Sequence, residues 1–285
     1  MEEKRVKINE AMKCAVVVSV SATSFQALAL RQEIEESFGL LKRLGFKGAE
    51  LAIRNPKEID EKQIFSLLER YQLAVPALGT GQAYVEEGLS LTASEQKLRE
   101  EARRRIFLHL ELSAQLGAKV IIGLIRGNPK PSQKDSSLKI LADELLELCE
   151  QAKKAGSPGL LLEPLNRYET SIINTIAEAK DFINQLGVDN LGILADSFHM
   201  NIEERDVYQA LVDAEDLIQH IHLADSNRWA PSQGHFDFDR LFSALGDIGY
   251  EGWLSGEFMP APTAQESVRM FAEFLEERGL VDARR

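Results

Sequence analysis

Eight short apolar runs recur along the chain: CAVVVS (14–19), GAELAI (48–53), AVPALG (74–79), KVIIGL (119–124), GLLLE (159–163), LGILAD (191–196), IQHIHL (218–223) and GWLSGE (252–257). Each has the length and the β-rich composition of a buried strand. Between them lie longer stretches with apolar residues three and four apart, such as 138–155 and 238–248, the spacing of an amphipathic helix. Leu44-Gly45, Leu116-Gly117 and Ile248-Gly249 close three such stretches. Glycine there supplies the left-handed residue that stops a helix.

Strand and helix alternate eight times with no Ser/Pro-rich linker. The pattern predicts an α/β fold, a single (β/α)8 barrel over 1–285 with residues 1–13 as an N-terminal extension. A doubly wound open sheet is the rival. No Gly-x-Gly-x-x-Gly turn follows the first run, so a dinucleotide fold has no support.

Composition narrows the class. The chain has 285 residues, 44% hydrophobic and 27% charged, which suits a soluble globular domain with a substantial core. Its net charge is -12 and it lacks long basic clusters, which argues against a nucleic-acid partner. Arg103, Arg104 and Arg105 sit beside Glu100 and Glu101 and read as a solvated helix face. The two cysteines, Cys14 and Cys149, are far apart in apolar contexts and read as buried thiols in a reducing compartment. The opening MEEKRVKINEAMK has no apolar core of a signal peptide, and no run is long enough to span a bilayer. A cytoplasmic protein with no membrane partner is expected.

In such a barrel the active site lies where the strands end. The fifth run ends in Glu163, the sixth in Asp196 with His199 three residues on, the seventh carries His222, and the eighth ends in Glu257. Alone, each has a plain structural reading. A carboxylate after a strand is commonly a helix N-cap or a loop charge, and a lone histidine is commonly a satisfied core residue. His220 is read that way, with its side chain pointing away from the barrel interior if His222 points in. Together the four are harder to dismiss. Three carboxylates and an imidazole at one rim would repel one another unless a cation sat among them. Oxygen-rich ligation with one histidine suits a divalent metal, Mn²⁺ first and Co²⁺ or Mg²⁺ next, more than a structural zinc. No organic cofactor is expected.

The segments EPLNRYE, DSFHMNIEE, HIHLADSNR and the closing GE of GWLSGEF resemble the xylose-isomerase-like TIM barrels. Within them the match is to the ketose 3-epimerases of the D-tagatose and D-psicose group. The resemblance implies that Glu163, Asp196, His222 and Glu257 hold the metal. It implies that Glu163 and Glu257 are the catalytic acid/base pair, and that Glu169, His199 and Arg228 contact the substrate. It also implies a homodimer or homotetramer acting on a sugar. Aldose–ketose isomerases, hydroxypyruvate isomerases and inosose dehydratases share the enediol logic on similar barrels. A zinc abasic-site endonuclease would use more histidines than the five present. A non-catalytic binding protein would have no need of the ligand set.

The first half of the chain matches that group less closely. Gln82 in GTGQAY (79–84) offers amide hydrogen bonds near the pocket. Arg126 after the fourth run and Arg54 after the second are expected at the rim, and the loop NRWAPSQGHFDF brings Trp229 and His235. A neutral ketose has no use for several arginines, whereas a carboxylate binds a guanidinium bidentately. A keto sugar acid such as tagaturonate or 5-ketogluconate is therefore expected, with Arg126 on its carboxylate and Gln82 and His235 as further contacts.

Overall fold

A computed structural model describes residues 11–31 and 33–282. In it the eight runs are eight parallel strands of one closed barrel in sequential order. They are β1 (Lys13–Ser19), β2 (Gly48–Ala52), β3 (Ala77–Gly79), β4 (Lys119–Ile122), β5 (Leu160–Leu162), β6 (Leu191–Asp196), β7 (Ile218–Leu223) and β8 (Trp253–Gly256). Closure comes from β1 pairing with β8, Cys14 opposite Leu254 and Val16 opposite Gly256. The barrel begins at Lys13. Residues 1–10 of the expected N-terminal extension lie outside the described residues.

β3 and β4 fall short of their apolar runs for local reasons. In AVPALG, Pro76 has no N–H for a ladder, so Ala74 makes only an isolated bridge to Gly48 and β3 starts at Ala77. In KVIIGL the chain leaves the sheet at Gly123 and enters a single 3-10 turn, Leu124–Arg126. That second departure relocates Arg126, as described below.

The helices cover the strands with the faces their periodicity dictates. In α5 (Lys134–Ala155), Leu141, Leu145, Leu148 and Ala152 are buried, spaced by three and four. In α9 (Phe238–Asp247), Phe238, Leu241, Phe242 and Leu245 are buried, and the Asp237 side chain caps the first turn through the Arg240 N–H at 3.0 Å. The Phe238 ring meets Phe274 of α10 (Ala264–Glu276) edge-on, 4.9 Å between centroids. Gly45, Gly117 and Gly249 all have positive φ, as their places at helix ends required. Cys14 and Cys149 are free and buried, and burial pushes their thiols up to about 12 and about 11, where they are unreactive. Among the described residues no helix is long and apolar enough to cross a membrane.

Inside the barrel the filling is of two kinds. Ala77, Ile121, Leu161 and Leu194 form a small apolar cluster. Elsewhere in the interior, Glu50 of β2, His220 of β7 and Ser255 of β8 form a buried hydrogen-bonded group.

Candidate active site

Side chains alternate faces along a strand, so a residue two positions beyond an inward one also faces inward. Glu163, Asp196, His222 and Glu257 stand two positions beyond Leu161, Leu194, His220 and Ser255. The period of two thus delivers all four to the C-terminal mouth. One ligand atom from each lies within 4.8 Å of the others. On β1 to β4 the matching last inward positions are Ser19, Ala52, Gly79 and Gly123. One half of the rim carries charged groups and the other half carries almost no side chain.

The cluster has the properties of a cation site. His222 Nδ1 stands 3.9 Å from Glu163 Oε1, 3.8 Å from Asp196 Oδ2 and 3.7 Å from Glu257 Oε2, too far for a hydrogen bond to any of them. Nδ1 and Asp196 Oδ2 are buried with no hydrogen-bond partner, a costly state for polar atoms unless a further charge meets them. Burial, with Glu257 and Asp196 nearby, pushes the Glu163 carboxyl up to about 8. At Asp196 burial works the same way, but Arg228, His199 and His222 outweigh it and hold the carboxyl well below its usual range. Burial also opposes a charge on His222, yet Glu50, Asp196 and Glu257 outweigh it and favour a positive charge on the ring. A divalent ion held among the four would supply that charge.

Asp196 serves as helix cap and candidate ligand through different oxygens. Its Oδ1 accepts from the N–H groups of Phe198 and His199, at 2.8 and 3.4 Å, and caps α7 (Ser197–Glu203). This leaves Oδ2 turned to the cluster.

Glu50 is a functional residue that the pattern of strand ends did not reveal. It lies in mid-strand, 1% exposed. Its Oε1 accepts from His222 Nε2 at 2.9 Å and its Oε2 from His220 Nε2 at 2.7 Å. A carboxylate on the far nitrogen of a metal-binding histidine fixes the tautomer and aims the near nitrogen. Glu50 does this for His222 Nδ1. His220 does not point away from the barrel interior. Residues 220 and 222 share a face by the strand period, and their rings meet edge-on at 5.3 Å. His220 is nonetheless a buried, hydrogen-bonded residue.

Gly123 makes room for the Glu163 carboxylate. A Cβ there would lie 2.3 Å from Glu163 Oε2, the mobile end of a side chain rather than backbone. Gly123→Ala is therefore expected to leave the fold intact and move the carboxylate. Divalent-metal affinity should fall about 10- to 100-fold, as read by titration calorimetry against an unchanged circular dichroism spectrum.

Of the other residues expected to meet substrate, Gln82, Glu169, His199 and Arg228 line the cleft above the cluster. Arg228 Nη2 pairs with Glu257 Oε2, Nη1 is 3.5 Å from Asp196 Oδ2, and the guanidinium lies 4.6 Å over the Phe198 ring. Its backbone φ is +63°, left-handed and costly for a non-glycine residue. Hydrogen bonds from Arg228 N–H to Asp225 O and from Met259 N–H to Arg228 O hold it there. Glu169 is half-buried, and burial raises its carboxyl. Gln82 donates to Ser19 Oγ at 2.7 Å, and its buried Oε1 has no partner.

Arg126 and His235 are not among the cleft-lining residues. The 3-10 turn swings Arg126 beneath the rim, where it is fully buried. Its guanidinium donates to the backbone carbonyls of Glu163 and, at 3.0 Å, Ile173, and burial lowers it to about 10. It grips the backbone of a cluster residue instead of reaching a ligand. His235 is exposed on its loop, with Nδ1 2.9 Å from Ser226 Oγ. Arg54 pairs with Glu58 at 2.6 Å, and Trp229 is 37% exposed. The other wall of the cleft is apolar, with Val17, Phe25, Leu28, Ala52, Ile121 and Leu124.

Comparison with known proteins agrees with this geometry. Residues 38–274 match the xylose isomerase-like TIM barrel family. The chain is 32% identical over 236 residues to a 3-dehydro-D-guloside 4-epimerase of Escherichia coli K12, covering 78% of this chain and 86% of that protein. It is 30% identical over 230 residues to a ketose 3-epimerase of Arthrobacter globiformis, covering 80% and 77%. The crystal structure of an E. coli 3-keto-D-glucoside 4-epimerase superimposes with a TM-score of 0.77 at 26% identity, over 93% of this chain and 99% of that one.

Proposed function

The chain belongs to the xylose isomerase-like TIM barrel family, and on that premise we propose that it is a metal-dependent carbohydrate epimerase inverting C3 of a neutral ketose. The observation that carries this reading is the convergence of Glu163, Asp196, His222 and Glu257, two of them candidate proton carriers, at the floor of a cleft with one apolar wall. Its relatives are named epimerases of ketoses and keto-glycosides.

The proton on C3 of a ketose is acidic only because the C2 carbonyl lies next to it. A divalent ion held by the four residues, Mn²⁺ in our reading with Co²⁺ or Mg²⁺ as substitutes, supplies polarisation of that carbonyl and charge for the enediolate oxygens. The chain's own residues do the rest. One of Glu163 and Glu257 removes the C3 proton from one face, and the other returns a proton to the opposite face. Either can begin, so the reaction is reversible. Arg228 and His199 face the oxygen on which charge develops, and Glu169 holds a substrate hydroxyl.

The keto sugar acid loses its physical basis. Its carboxylate was assigned to Arg126, which does not line the cleft and whose Nη1 and Nη2 donate to backbone carbonyls. Among the described residues the sole Lys or Arg lining the cleft is Arg228, already paired with Glu257. The apolar wall suits the C–H face of a neutral sugar. A second reading is inversion at C4 of a 3-keto-glycoside, favoured by the E. coli relative and using the same α-proton chemistry. In either case we read the enzyme as a cytoplasmic homodimer or homotetramer. Tyr168, 80% exposed on the loop that carries Glu169, is an aromatic side chain that such an interface would cover.

The test is proton exchange in deuterated water, followed by NMR on Mn²⁺-reconstituted enzyme with fructose, tagatose, a ketohexuronate and a 3-keto-glucoside. Metal-dependent deuterium at C3 of the neutral ketoses is expected. Faster exchange at C4 of the 3-keto-glucoside moves the assignment to the second reading. Exchange at C1 makes the enzyme an isomerase, and preference for the uronate restores the acid substrate.

A further inference from the structure

Asn166, three residues after Glu163, is 2% exposed and touches His199 twice. Its backbone N–H reaches His199 Nδ1 at 3.2 Å, and its side-chain Nδ2 reaches the same atom at 2.8 Å. The amide is not free to turn over. Asn166 Oδ1 accepts from the Tyr168 N–H at 2.9 Å, which leaves the NH₂ group facing the imidazole. A backbone N–H can only donate. Two donors therefore meet Nδ1, and Nδ1 must be the acceptor. A ring with a bare Nδ1 is neutral and carries its one proton on Nε2.

The Nε2 end lies 3.2 Å from Arg228 Nη1, with the Glu163 carboxylate at 3.9 Å. Both His199 and Arg228 line the cleft. With Nε2 protonated, neither group can accept from the other. Arg228 Nη1 points a donor at Nε2, so the two N–H groups oppose one another here, and an oxygen acceptor in the cleft to which both turned would relieve that opposition. We infer that Asn166 is a positioning residue that fixes His199 as the Nε2–H tautomer, so that His199 and Arg228 form a paired donor site for the oxygen that becomes negative during epimerisation. The opposite tautomer would present a lone pair to that oxygen and repel it. The inference deepens the epimerase reading and rests on it for the identity of the oxygen. The tautomer itself stands independently.

The experiment is a long-range ¹H–¹⁵N correlation spectrum of ¹⁵N-histidine-labelled, Mg²⁺-loaded protein, chosen because Mg²⁺ is diamagnetic. His199 is assigned by the signal lost in His199→Gln. The expected spectrum shows a bare Nδ1 and a protonated Nε2 for His199. In Asn166→Asp the new carboxylate draws a proton onto Nδ1. There kcat for C3 exchange should fall about 100-fold while KM changes by less than about threefold. A wild-type spectrum with the proton on Nδ1 overturns the inference without needing any variant. So does an Asn166→Asp enzyme whose proton has moved but whose kcat has not. Absence of turnover with every ketose would instead sink the epimerase reading and leave the tautomer result standing.

Discussion

Glu163→Gln, folded and given saturating Mn²⁺, is expected to lose at least about 1,000-fold in C3 proton exchange. Glutamine keeps the shape of the side chain and leaves the backbone carbonyl held by Arg126 in place. It removes one proton carrier and one ligand charge together. Stability should respond in the opposite sense. In chelator the Glu163 carboxylate is buried against Glu257 and Asp196, which oppose its ionisation. Relieving that crowding should leave the variant at least as stable as wild type in thermal melts. With metal present, wild type should regain the advantage. A variant keeping more than about a tenth of wild-type exchange would remove Glu163 from the chemistry. Glu257→Gln should show a comparable loss, with the added release of Arg228 from its carboxylate partner.

Stripping the metal is expected to abolish exchange, and Mn²⁺, Co²⁺ or Mg²⁺ should restore it to different extents. A metal at 100 times its dissociation constant stabilises the fold by about 2.7 kcal/mol, a rise of about 5 °C or more in Tm for a chain of this size. The pH dependence has a definite sign. Glu163 is pushed up to about 8, so below that pH a proton must leave before the metal can bind. Apparent affinity should therefore fall at least about tenfold for each pH unit below about 8, since the proton that Glu50, Asp196 and Glu257 favour on His222 must leave as well. Equal affinity at pH 6 and pH 8, measured by titration calorimetry, would show that Glu163 is not a ligand. Exchange that survives exhaustive chelation would remove the metal from the reaction altogether.

The barrel was legible because strand and helix periods are properties of consecutive residues. The four cluster residues were legible because each stands at the end of an apolar run or one residue before it, and the fold gives all strand ends one destination. What escaped depended on direction or on partners distant in sequence. Glu50 sits in the middle of GAELAI and not at its end, although a carboxylate flanked by Ala49 and Leu51 was itself a sign of a buried partner. That partner is 172 residues away. His220 was turned the wrong way for want of the strand rule that i and i+2 share a face. Arg126 was placed at the rim because the apolar run continued to Leu124, whereas the sheet ended at Ile122. His235 lies in an irregular loop, where sequence carries no rule for side-chain direction. The arginine argument for an acidic substrate failed with Arg126, since the number of arginines near a rim says nothing about which of them already have acceptors.

The rim is unequal around its circumference: Glu163, Asp196, His222 and Glu257 on one side, and Ser19, Ala52, Gly79 and Gly123 on the other. Gly123 is committed to the Glu163 carboxylate, but Ala52 and Gly79 border the cleft, and a Cβ at Gly79 would meet only Ala52 and Leu51, at 3.5 Å or more. A side chain added at either would change the shape offered to the sugar while the proton-transfer groups stay where they are. The apolar wall of the cleft and the proton-transfer groups thus come from different stretches of one gene. A descendant of this chain can trade one sugar for another through small changes before residue 123, without passing through an inactive ancestor.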